Sequence, residues 1–412
     1  MRKPTSYAKY LSFFNEKAFA WACYFLVIGL FLSRALVSIS CVLIVVFGLL
    51  NYFNQEVKKR ISLEFLFFPL IYFVLLISFF WTSHFIIWQK LIFVNSIFLL
   101  LPIGMYFGPD FLKKEVKNIF LLFSGLCFLL ILSTAFKAIL NYQQFIDEVE
   151  RSKNLMLPIG PDHSEMSVLS VVAFFIGINL YQTEKTKWLK TFFLIALISF
   201  FIALNIIAFR FSLICIYLML MLYSLWSIKK APKRSLIYLS SLLMIPILAF
   251  LLYFTLPSIQ KRVQNTLTDL RSVTSDRNPN FQSLGQRWAA MKCSWEVIKK
   301  HPFLGTSPAD AEFEIQRQYD INSYLLIPQN RIFIHNQLIY YVLVYGIPFG
   351  LVFIFLLSKL FIKLYQRSPF YIMILLPFIF HMQIENTLEK QITANAFLFL
   401  FFLSFKQIKK AA

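Results

Sequence analysis

Charged side chains are scarce in this sequence: they make up 15% of its 412 residues, where soluble domains carry roughly a quarter. Against 58% apolar residues they are too few to cover a water-soluble globule. Acids are the rarer sign, 20 against 40 Lys+Arg. No Asp-x-Asp motif stands in a loop, so neither a divalent cation nor another cofactor is expected. The five cysteines (Cys23, Cys41, Cys127, Cys215 and Cys293) form no CxxC and no Cys/His pairing, which argues against a disulfide framework and a zinc site. Four of them fall inside apolar runs and read as small apolar fillers. Polarity does not alternate along the runs, which excludes a transmembrane barrel. No internal repeat supports an inverted-repeat transporter. No small-x-small cleavage site follows the first apolar run, so a cleavable signal peptide is not expected.

What is present is a series of apolar runs of about 20 residues, the length that crosses a bilayer as helix. Spans are predicted near 18–33, 35–53, 63–81, 90–108, 118–139, 164–182, 190–208, 211–228, 235–256, 335–358, 369–386 and 391–405. The fold class is therefore an all-α polytopic membrane protein of about twelve transmembrane helices. Segment 18–53 reads as two spans or as one long helix broken at Ser33-Arg34, and charge decides between them. With two spans, the clusters Lys58-Lys59-Arg60, Lys113-Lys114, Lys229-Lys230 and Lys409-Lys410 share one side with the basic N-terminus, and that side takes most of the basic residues. Both termini are then cytoplasmic. The net charge of +20 is accounted for by this topogenic bias and by anionic lipid, not by nucleic acid.

Two external connections are long: 140–163, and 257–334 between spans nine and ten. The second is too aromatic and too well patterned for disorder and is expected to fold as helices. The chain so divides into a bundle of spans at 1–256, a loop domain at 257–334, and spans ten to twelve with a cytoplasmic tail at 335–412. Within the loop, Leu284, Trp288, Met291, Trp295 and Ile298 step at helical spacing, which reads most simply as a packing face. Ser283 and Gln286 form a candidate capping box at its start.

Arg287 falls in that first turn, where the helix dipole disfavours a cation. Beside unpaired backbone N–H groups it is placed to bind a phosphate or diphosphate, or else it is a solvated surface arginine. Arg210 sits in a connection so short that its guanidinium must lie near the outer membrane interface. There it is functional, or it snorkels to a headgroup. His335 opens the tenth span at the outer face, where a neutral imidazole can accept a proton from a hydroxyl; a satisfied interfacial histidine is the alternative.

About twelve spans, Arg210 in a tight external turn, the run Arg287-Trp288-x-Ala290 leading to His301-Pro302-Phe303-Leu304-Gly305, and His335-Asn336 followed by Gly346 together resemble the O-antigen ligase/O-antigen polymerase superfamily. Ser307 and Phe209-Arg210-Phe211 depart from its usual pattern. Asp162-His163-Ser164 is similar to a His-containing stretch of some members, which places His163, with Asn336, on the acceptor side or around the base. The resemblance implies a periplasmic site at the inner (cytoplasmic) membrane of a bacterium, transferring a glycan from undecaprenyl diphosphate to an acceptor hydroxyl. Arg210 and Arg287 would hold the diphosphate in place of a metal, and His335 would be the base, with inversion at the anomeric carbon. Ligation to lipid A-core is favoured over polymerisation and over transfer to protein. A transporter of polyprenyl-linked sugars would need ionisable residues deep in the spans. Apart from Lys137 the clear interior carries almost none, with Glu64 and Glu165 near span ends.

Overall fold

The computed structural model describes residues 6–53, 63–150, 159–230, 235–274, 280, 283–322 and 326–411. The expected basic cluster at 58–60 and part of the 140–163 connection lie outside these residues. Among the described residues there is no strand. In chain order the helices are α1 (Ser6–Leu32), α2 (Arg34–Phe53), α3 (Leu63–Ile77), α4 (Phe85–Val94), α5 (Ile97–Phe107), α6 (Lys113–Leu140), α7 (Tyr142–Glu150), α8 (His163–Thr183), α9 (Lys187–Ile207), α10 (Arg210–Lys230), α11 (Ser235–Thr255), α12 (Pro257–Thr274), α13 (Ser283–Lys300), α14 (Ala311–Ile321), α15 (Gln337–Arg367), α16 (Pro369–His381) and α17 (Gln391–Ala411).

Each of the twelve predicted apolar runs is helical, and the protein is an all-α multi-pass membrane protein. Nine helical segments among the described residues have the length and hydropathy to cross a bilayer. A tenth is counted if α11 and α12 are taken as one element, bent by 98°. α16 and the apolar part of α17 are shorter. Segment 18–53 is two helices, α1 and α2, meeting at Ser33. The predicted span 90–108 starts earlier and is interrupted at Asn95-Ser96, giving α4 and α5. The predicted span 369–386 stops at His381, a difference that decides the site described below.

The chain divides into two compact units, one of residues 1–122 and 269–412, the other of residues 123–268. The first is organised around α17, whose residues from Ile392 to Phe405 are all buried. A helix apolar on every side must be surrounded by others. Phenylalanines fill the space around it: Phe65 and Phe68 meet Phe402, and Phe68 also packs on Phe98, Phe397 and Phe401. α2 and α5 approach until Gly48 touches Gly104, where a Cβ on Gly48 would lie 2.5 Å from the Gly104 carbonyl. Glu64, expected near a span end, is buried and paired with Lys363 of α15.

α15 is broken inside the same unit, and the break explains the His-Pro-x-x-Gly run. Gly346 has φ +86°, and Pro348 has no N–H with which to bond the Val344 carbonyl. The freed backbone groups must find partners elsewhere. Residues 302–307 supply them: the Thr306 and Ser307 N–H groups donate to Leu343 O (2.9 Å) and Val344 O (3.1 Å), and Ile347 N–H donates to Pro302 O (2.8 Å). Two backbones meet here without room for side chains, since a Cβ on Gly346 would lie 2.1 Å from Phe303 O and one on Gly305 2.4 Å from the Val344 carbonyl carbon. Gly346→Ala is therefore expected to cost at least about 1–3 kcal/mol from its positive φ alone. A lower thermal midpoint of the detergent-solubilised protein would register it, and a midpoint equal to the wild type would refute this account of the break.

In the second unit α8 packs against α9 and α10, and α10 against α11. Ser212 donates to Ser167 O at 2.8 Å and pairs with Ser170 at 3.0 Å, so α8 and α10 touch through small hydroxyl residues. α9 ends on Ala208 in the left-handed conformation (φ 56°), and α10 begins two residues later at Arg210. The connection is as tight as the sequence implied.

Candidate functional site

Three elements of the first unit converge on one carboxylate. α13 carries Arg287 in its first turns, the extended stretch before α15 carries His335, and the connection 382–390 between α16 and α17 carries Glu385. Arg287 Nη2 donates to Glu385 Oε1 at 3.3 Å, and Nη1 donates to the Ile384 carbonyl at 2.8 Å. His335 Nδ1 meets Glu385 Oε2 at 3.1 Å, and Lys390 Nζ meets the same oxygen at 3.2 Å. Glu385 is buried, while Arg287 and His335 are each about one-third exposed. Burial alone would push its pKa up. The His335 hydrogen bond and the charges of Lys390, His335 and Arg287 outweigh that and hold it at about 2. At neutral pH it is an anion among three basic groups.

The backbone around these side chains is laced together. Asn336 caps α15, its Oδ1 accepting from the Leu338 and Ile339 N–H groups, and its Nδ2 donates to Gln383 O at 3.1 Å. Gln337 N–H donates to Met382 O, Leu388 N–H to Gln337 Oε1, and Asn386 Nδ2 to Ile334 O. The 382–390 connection and the 334–337 stretch are thus one rigid piece. Gln337 and Tyr340 bond Glu389, but burial outweighs them and raises its pKa to about 7.

A second carboxylate organises the 302–310 segment. Asp310 accepts from the Ser83 and His84 N–H groups at 2.9 and 3.0 Å, from Ser307 Oγ at 3.0 Å, and lies 2.5 Å from His84 Nδ1. The His84 ring stacks on Phe313 at 3.9 Å. Burial raises the Asp310 pKa, yet the four hydrogen bonds bring it below the usual carboxylate range.

The sequence placed Arg287 and His335 in one region, and the structure joins them through Glu385. Asn336 is engaged by backbone at both ends of its amide. The phosphate reading of Arg287 relied on the start of its own helix, whereas its guanidinium reaches across to residues 384–385. The aromatic stripe of α13 is a correction: its packed face is Gly285, Ala289, Ala290, Cys293, Ser294 and Val297, with Ile298 at its edge. Small residues let α13 approach its neighbours closely, so the bulky stripe turns outward. Trp288 and Trp295 are 42% and 55% exposed and line an apolar cavity of about 530 Å³ with Met291, Leu338, Ile339 and Val342. Burial pushes the Cys293 thiol up to about 12, so it is no nucleophile at neutral pH. Ser283 is the first residue of α13, and the position before it lies outside the described residues.

Arg210 and His163 belong to the other unit. His163 opens α8 after a capping box of Asp162 and Glu165, and its ring meets Phe209, the neighbour of Arg210, edge-on at 4.5 Å. Glu385 escaped the sequence reading because a span drawn to 386 hid it in an apolar run. The available signal was a pair of glutamates and a lysine, Glu385, Glu389 and Lys390, within a short connection between apolar helices.

Residues 194–355 match the family model described as O-antigen ligase. The matched stretch runs from α9 into α15 and includes Arg210, Arg287, His335 and Asn336; it excludes His163 and Glu385. It supports the superfamily that the sequence resembles, and with it a glycosyl-transferring function of the ligase or polymerase type. No curated protein matches the chain.

Proposed function

We propose, from a ligase-type domain whose histidine and arginine share one buried carboxylate, that this protein transfers a glycan from undecaprenyl diphosphate to an acceptor hydroxyl. The observation that carries the reading is the Arg287–Glu385–His335 constellation. With Nδ1–H directed at Glu385, the lone pair of His335 lies on Nε2, the arrangement of a general base oriented by an acid. The acceptor oxygen attacks the anomeric carbon as its proton passes to Nε2. The bond from that carbon to the diphosphate oxygen breaks, and undecaprenyl diphosphate departs with the electron pair. Attack opposite the leaving group inverts the anomeric centre.

Arg287 supplies a fixed positive charge where negative charge grows, and the resemblance also assigns Arg210 to diphosphate binding. Two guanidinium groups can do this without a metal ion. The proposed setting is the inner membrane, with both termini cytoplasmic, the site on the periplasmic face and lipid A-core as acceptor. His163 is assigned to the acceptor side.

The test uses purified protein in detergent with an undecaprenyl-diphosphate glycan, a lipid A-core acceptor and EDTA. Glycosylated lipid A-core in the wild type and none with Arg287→Ala is the expected result. Lengthening of glycan on the carrier would make the protein a polymerase, and glycan appearing on a protein acceptor would make it a protein glycosyltransferase. No consumption of the carrier under any acceptor would remove the transferase reading and favour transport.

A further inference from the structure

The second unit holds an arginine that the transfer mechanism does not use. Arg262 lies on α12, which turns 98° from α11 at Leu256-Pro257. Asn265, one turn later, donates to the Val149 carbonyl at 2.9 Å and pins α12 to the end of α7. Arg262 is only 7% exposed. Its Nε and Nη2 are both buried, and neither has a hydrogen-bond partner among the described residues. These two nitrogens form the edge of a guanidinium that donates two parallel hydrogen bonds, the edge that matches a pair of carboxylate or phosphate oxygens. Among the described residues, the charge that acts on Arg262 is another cation, Arg210.

A buried guanidinium edge with no hydrogen-bond partner among the described residues is costly unless an anion reaches it. Arg210 adds a further element, because it opens α10, whose first N–H groups and dipole favour negative charge. Snorkelling does not describe Arg262, since its donor edge points into the protein instead of toward water.

We propose that Arg262 and Arg210 form an anion site that binds a phosphate group, with the Nε/Nη2 edge of Arg262 taking two phosphate oxygens. The phosphate is that of a lipid-linked diphosphate or of a phospholipid headgroup. The first source rests on the proposed function; the site itself does not.

The experiment is a pyrophosphate titration of the full-length protein in detergent, read as the shift in thermal midpoint, since a ligand that binds the folded state raises it. The wild type should respond, Arg262→Gln should bind at least about tenfold more weakly (the loss of one charge-assisted pair), and Arg262→Lys should fall between, keeping charge without the fork. Arg262→Met controls for folding: without pyrophosphate its midpoint should be no lower than the wild type's, because it removes an unpaired buried cation. Repeating the titration in phosphatidylcholine nanodiscs with and without phosphatidylglycerol separates the sources. Competition by phosphatidylglycerol in the wild type alone identifies a headgroup, and no competition identifies the diphosphate. Equal pyrophosphate binding by wild type and Arg262→Gln, or no wild-type response to either phosphate, overturns the site. Pyrophosphate binding that depends on Arg262, in a protein that transfers no glycan, would leave this site standing and overturn the proposed function alone.

Discussion

Replacing His335 with alanine is expected to lower glycan transfer by about 10²–10⁴-fold, the usual contribution of a positioned general base, while the amount of protein in the membrane stays at the wild-type level. The separation of the two effects follows from the geometry. His335 is about one-third exposed and contributes one hydrogen bond to Glu385. After its removal the carboxylate still has Arg287 Nη2 at 3.3 Å and Lys390 Nζ at 3.2 Å, so no buried charge is stranded. The backbone lacing by Asn336, Gln337 and Asn386 is untouched. Glycosylated lipid A-core measured against immunoblotted protein checks both halves. Transfer at the wild-type rate with normal abundance would remove His335 from the mechanism.

Glu385→Gln should be the more damaging change, because it acts on activity and on stability together. The amide keeps the shape of the carboxylate but removes the anion among Arg287, His335 and Lys390. His335 loses the charge that holds its proton on Nδ1, and an amide NH₂ facing that nitrogen would select the wrong tautomer. A loss of about 10²–10⁴-fold in transfer is expected.

The stability effect has a definite pH window. The folded-state pKa of Glu385 is about 2, below the ordinary glutamate value of 4.5. Its contribution is therefore present above about 4.5 and is lost as pH falls toward 2. At neutral pH a shift of that size corresponds to about 3 kcal/mol. Thermal midpoints taken between pH 5 and pH 2 should fall more steeply for the wild type than for Glu385→Gln. Parallel curves would show that the carboxylate is not held by its three neighbours.

The two substitutions also separate roles. His335 touches the reacting hydroxyl in the proposed reaction, whereas Glu385 acts through His335 and Arg287 and is a positioning residue. Glu385→Asp should recover part of the transfer lost in Glu385→Gln, since the charge returns with a shorter reach.

Membrane class, the helical character of all twelve apolar runs and the tight turn at Arg210 were legible in the sequence, because each depends on residues close together in the chain. A bilayer-length apolar run needs no distant partner to be recognised. Motif order and spacing singled out Arg287 and His335, and the fold brings them onto one carboxylate. Their meeting point was not: Glu385 lies 50 residues from His335 and 98 from Arg287, in a stretch that hydropathy assigned to a span.

The aromatic stripe of α13 illustrates the same limit from the other direction. Periodicity correctly marked Trp288 and Trp295 as sharing one face of a helix, but it carries no information on which face a neighbouring helix will cover. Gly285, Ala289 and Ala290 settled that, since close packing favours the face with the smallest side chains. Arg262 likewise reads in sequence as one more basic residue in a polar helix, and only folding takes it out of water. The sequence by itself determined that this chain spans a membrane as helices. The tertiary structure alone decided which charges are buried and what they face, because desolvation and ion pairing are set by groups brought together across the fold.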